Sequence, residues 1–76
     1  MVTLKELQPG DQARVKAIHA GAPLYRHKLL SLGIIPGVLL KVIRRAPLGC
    51  PVEIEAQGSR ISLRQLEADI LLLEKI

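Results

Sequence analysis

The stretch from Leu29 to Glu55, LLSLGIIPGVLLKVIRRAPLGCPVEIE, limits the fold more tightly than any other part of the chain. Gly33 falls where a helix should stop, because glycine alone enters the left-handed region without a Cβ penalty. Ile34 then stands at the position that touches Leu29 across a Schellman end. Pro36-Gly37 reads as a tight turn, proline presetting one central φ and glycine supplying a positive one at the next. Val38 to Arg45 is rich in β-formers, and the prolines of Ala46-Pro47-Leu48-Gly49-Cys50-Pro51 cannot continue a ladder. Val52 to Ala56 alternates apolar and polar residues, as a half-buried strand does. This is a folding signature with no catalytic motif in it.

The remaining elements follow from local pattern. Thr3 and Glu6 have the spacing of a capping box, with Val2 and Leu7 as the flanking apolar pair, so one helical turn ending at Pro9-Gly10 is expected. Gln12 to His19 reads as a strand with Ala13, Val15 and Ala17 on one face. Ile18 breaks that alternation and marks a bulge or an exposed apolar residue. Gly21-Ala22-Pro23 is a breaker, and Leu24 to Leu32 a short amphipathic helix whose stripe is Tyr25, Leu29 and Leu32. A Gln57-Gly58-Ser59 turn leads to a strand over Arg60 to Leu63. A helical turn over Arg64 to Ala68 and a strand from Ile70 to Lys75 close the chain.

Seventy-six residues allow one domain, spanning residues 1–76. With no Phe or Trp, and Tyr25 as the single aromatic, the core must be aliphatic. Five short strands with one inserted helix fit a mainly β fold, a small closed or nearly closed barrel. Such a barrel has one interior, so some of Leu39, Ile43, Leu71 and Leu73 are expected outside it. Cys50 is unpaired, which suits a reducing cytoplasm. The N-terminus lacks the apolar segment of a signal peptide. The apolar run Ile70 to Leu73 is far short of the roughly 20 residues that span a bilayer, so no direct membrane insertion is expected.

The helix exit Leu32-Gly33-Ile34, the Pro36-Gly37 turn, Arg44-Arg45-Ala46-Pro47-Leu48-Gly49 and Pro51-Val52-Glu53-Ile54 occur in an order that resembles the FeoA family of bacterial ferrous iron uptake. Ile61-Ser62-Leu63-Arg64, Glu67-Ala68 and the opening Leu7, Pro9, Gly10 and Asp11 extend the match over about residues 2 to 76. The resemblance implies an SH3-like barrel and a small cytoplasmic accessory protein. Cys50 departs from the family pattern, which usually carries an acidic residue at that point of the loop.

Chemistry elsewhere is sparse. His19, His27, Cys50, Glu53 and Glu55 are the conceivable metal ligands, yet no pair has the spacing of a preformed site, and no metal ligand is assigned. Neither phosphate-binding glycine motif is present, so no cofactor is expected and any GTPase chemistry belongs to another chain. Ser31, Ser59 and Ser62 lack a His/Asp arrangement, which argues against an enzyme. The formal charge of +4 permits an anionic partner. Nucleic-acid sites, however, usually add stacking aromatics, and Tyr25 is expected to be buried in the helix stripe; no nucleic-acid partner is expected.

Surplus aliphatic surface and an inserted helix flanked by cations point to protein binding. Leu24, Arg26, Lys28, Ile35, Arg44 and Arg45 are the candidate contact residues. The resemblance implies a FeoB-type membrane iron transporter as the partner. Exposed strand edges invite weak self-association. The competing reading is a regulatory or nucleic-acid-associated SH3-like domain of the kind appended to metal-dependent repressors. The capped N-terminus leads us to expect a self-standing chain instead.

Overall fold

The computed structural model describes residues 1–19, 21 and 23–76; of the expected Gly21-Ala22-Pro23 breaker, Ala22 lies outside the described residues. A 3-10 turn at Leu4–Glu6 precedes β1 (Gln12–Ile18), α1 (Pro23–Ser31) and β2 (Leu39–Arg45). β3 (Val52–Ala56), β4 (Ser59–Leu63), α2 (Gln65–Asp69) and β5 (Leu71–Lys75) follow. The strands form one antiparallel sheet in the order β4-β3-β2-β1-β5. Observed boundaries fall within a residue or two of those read from sequence, the usual scatter at fraying ends.

The sheet is not closed, which corrects the expectation of a closed or nearly closed barrel toward an open one. β4 and β5 are the two edges and do not pair. α2 lies between them in the chain and touches both β5 and the 3-10 turn, so short helical pieces seal the core where a ladder would otherwise close it. The outer side of β5 is met by Val2, which exchanges two backbone hydrogen bonds with Leu73 at 2.8 and 2.9 Å. Of the four residues some of which were expected outside the core, Leu71 and Leu73 are fully buried. Leu39 is exposed and Ile43 half-buried, as expected for residues on the outer face.

Local chemistry explains the connections. Gly33 has φ of 86°, and the two hydrogen bonds of a Schellman end are present: Ile34 N–H to Leu29 O and Gly33 N–H to Leu30 O, both 3.0 Å. Leu29 and Ile34 are both fully buried in the core. Gly37, at φ of 97°, completes the Pro36-Gly37 turn, which Val38 N–H closes onto Ile35 O at 3.1 Å. Gln57 and Gly58, both with positive φ, form the two-residue β3–β4 hairpin turn, and Ser59 is already strand. At the N-terminus, Glu6 Oε2 accepts from the Thr3 N–H at 2.7 Å and the Thr3 hydroxyl at 3.1 Å. These bonds hold the Glu6 carboxyl below its ordinary range.

Two β-bulges decide which side chains face inward. In β1 the register shifts between Val15 and Ala17, so the inward position passes to Ile18, opposite buried Leu71. The irregularity that Ile18 announces therefore begins two residues earlier, and Ile18 packs against the core. In β2 the shift lies between Val42 and Arg44. Leu40 and Val42 face inward; after the extra residue Arg44 turns to solvent and Arg45 takes the inward position, opposite buried Val52.

Candidate functional site

α1 is anchored lightly. Leu29 is its one buried residue and Leu30 is half-buried. The expected stripe of Tyr25, Leu29 and Leu32 is corrected: Tyr25 is 37% exposed and Leu32 42% exposed. The reason is arithmetic. Leu24, Tyr25, Leu29, Leu30 and Leu32 point apolar groups to most sides of a nine-residue helix, which can bury only one narrow face. Leu24, 85% exposed, stands four residues before Lys28 and eight before Leu32, so these three run along one outer line. Leu32 continues the helical spacing, its N–H bonding to Lys28 O at 3.1 Å. Ile35, on the exit from the helix, is also exposed.

The second anchor of α1 is electrostatic. Lys28 Nζ lies 2.5 Å from Glu67 Oε2 on α2, and the Glu67 Oε1 accepts from the Arg64 N–H at 3.0 Å. Glu67 is the one buried charged residue among those described, at 3% exposure. Burial alone would push its carboxyl upward; the Lys28 ammonium and the Arg64 N–H outweigh this and hold it below its ordinary range. Lys28 is therefore a strut between two helices as well as a surface cation.

The six candidate contact residues do not form one cluster. Leu24, Arg26, Lys28 and Ile35 belong to α1 and its exit. Arg26 is exposed and has no ion-pair partner among the described residues. Arg44 and Arg45 stand at the opposite end of β2, five and six residues beyond Leu39, roughly 16–20 Å along the strand at about 3.3 Å per residue. Arg44 is exposed. Arg45 is half-buried and spends its guanidinium within the protein: Nε donates to Leu7 O at 3.2 Å, and Nη2 donates to Leu7 O at 2.6 Å and Leu4 O at 2.5 Å. Tyr25 and Leu32 are surface residues that the sequence reading assigned to the core. Periodicity alone could not separate them from Leu29.

Among the described residues no three of His, Cys, Asp and Glu come together as a metal-holding group. His19 and His27 are both exposed, and His19 Nδ1 accepts from the Gly21 N–H at 3.0 Å. Cys50 is an exposed free thiol. No helix among the described residues is long and apolar enough to cross a membrane.

The sequence model of the FeoA domain matches residues 2–75. A Porphyromonas gingivalis protein, the Fe(2+) transport protein A/Fe(2+) transporter FeoB fusion protein, is 33% identical over 73 residues. That match covers 96% of this chain and 8% of the fusion. The solution structure of FeoA from Chlorobium tepidum is 37% identical, with a TM-score of 0.88, over 99% of this chain and 70% of that one. A manganese-dependent transcriptional repressor superimposes with a TM-score of 0.91 at 20% identity, over 99% of this chain and 36% of the repressor. That likeness concerns fold alone. The shared architecture is SH3-like and mainly β.

Proposed function

We propose, since the chain belongs to the FeoA family, that it is a non-enzymatic accessory protein of ferrous iron transport that binds the cytoplasmic part of a FeoB-type permease. The observation that carries the reading is the P. gingivalis fusion, in which a segment similar to this chain is covalently joined to a FeoB transporter. Two segments fused in one polypeptide meet at high effective concentration, and a separate chain must supply the same association by affinity. The exposed apolar line of Leu24 and Leu32, with Tyr25 and Ile35 beside it, is the surface that suits such a contact. Arg26 adds an exposed cation at its flank, without an ion-pair partner among the described residues. For the bound domain to regulate transport it must bind two transporter states with different affinity.

The test is co-purification of the tagged protein with detergent-solubilised membranes containing a FeoB-type permease, beside a DNA titration at two salt concentrations. Recovery of the permease is expected. No recovery, together with DNA binding that persists at physiological salt, would replace this reading with the repressor-like one.

A further inference from the structure

A cleft of about 330 Å³ opens at the Arg45 end of the molecule, between the 3-10 turn, the β2–β3 loop and α2. Its volume falls within the range of small-ligand sites. Lys5 and Arg45 supply two cations to its lining, against one carboxylate from Asp69. Leu48, 97% exposed, and Val52 supply aliphatic wall. No function described above uses this place.

From this lining we propose that the cleft binds a small aliphatic carboxylate. Arg45 is the key group. Its Nε and Nη2 donors are fixed by the Leu4 and Leu7 carbonyls, while Nη1 makes no hydrogen bond among the described residues. A guanidinium already held in one orientation loses little further freedom on donating to a ligand oxygen. The excess of one positive charge favours a monoanion and disfavours an amine. Leu48 favours an aliphatic body: it is almost wholly exposed at the cleft, and a ligand resting there removes that surface from water. Such a carboxylate is either a free organic acid or the C-terminus of a polypeptide ending in an aliphatic residue.

The experiment is an NMR amide-shift titration of the intact chain with isocaproate and with its uncharged amide. A pentapeptide ending in leucine, with free or amidated C-terminus, forms the other arm. Isocaproate is expected to give saturable shifts at Lys5, Gly49 and Cys50 with a Kd of about 1 mM, and the amide to bind roughly tenfold more weakly. Lys5→Ala should weaken isocaproate binding several-fold and Asp69→Asn should strengthen it. These two exposed positions keep the test independent of Arg45, whose loss threatens the fold. A free-terminus peptide that binds more tightly than isocaproate assigns the site to a chain terminus; equal or weaker binding assigns it to a free acid. Equal binding of acid and amide, shifts that do not saturate, or shifts mapping outside the cleft would each overturn the proposal.

Discussion

Lys28 and Arg45 are both cations that bind partners inside the molecule, but they do so at different ends and with different results. At the α1 end, half-exposed Lys28 reaches buried Glu67 and ties α1 to α2, beside the single buried anchor Leu29. Leu24, Tyr25, Leu32 and Ile35 are left facing solvent. At the other end, Arg45 reaches inward to two backbone carbonyls of the N-terminal segment and leaves a hollow beside it. The first end presents exposed aliphatic side chains around a helix tied down by one ion pair, and the second a hollow beside an arginine spent on backbone.

Substitutions at the two ends should therefore differ in kind. The largest effect is expected from Arg45→Met, which strips the guanidinium donors from the carbonyls of buried Leu4 and Leu7, leaving Leu4 O only the Leu7 N–H, and should cost about 3 kcal/mol by urea denaturation. Arg45→Lys should recover only part of this, because an ammonium cannot fork between two carbonyls. A loss below about 1 kcal/mol for Arg45→Met would show that the N-terminal turn does not depend on it.

Glu67→Gln comes next, at about 1.5 kcal/mol, limited because Lys28 remains half in water. The pH dependence has a definite sign. The carboxyl is held low in the folded state, so its stabilisation is complete above the ordinary glutamate value of about 4.3 and is lost as pH falls below it. Urea midpoints of wild type and Glu67→Gln should accordingly converge as pH falls below about 4.3, and a constant gap would refute the pairing.

Leu24→Glu should lower transporter affinity roughly tenfold while changing stability by less than about 0.5 kcal/mol. Unfolding seen by circular dichroism would move Leu24 into the core and erase the contrast between the ends. The smallest effect is expected from Arg44→Ala, within about 0.5 kcal/mol, although Arg44 is the immediate neighbour of Arg45. Equal losses at the two arginines would mean that the β2 bulge does not separate them.

What the sequence made legible was local. Gly33 and Ile34 specify the helix exit within six residues of chain, and Pro36-Gly37 the turn after it, because all their bonding partners are near neighbours. The strand from Val52 to Ala56 was readable from its alternation. The unread features depend on distant partners. Arg45 is claimed by carbonyls 38 and 41 residues away. Leu71 and Leu73 are buried by β1 on one side and, for Leu73, by Val2 on the other. The same limit applies to the candidate site: its residue types were evident, but the split of four residues to one end and two to the other required strand register.

The sheet order has a consequence for how the chain acquires its structure. β5, last in sequence, pairs with β1, first in sequence, and Val2 then docks on β5. The β2-β3-β4 meander can assemble from neighbouring segments as they emerge from the ribosome. The β1–β5 seam must wait for every segment between the two strands and closes a long loop, the slow kind of step. Until then one edge of β1 is unpaired, so the interval before Leu71 to Lys75 is synthesised is when a nascent copy is most exposed to aggregation.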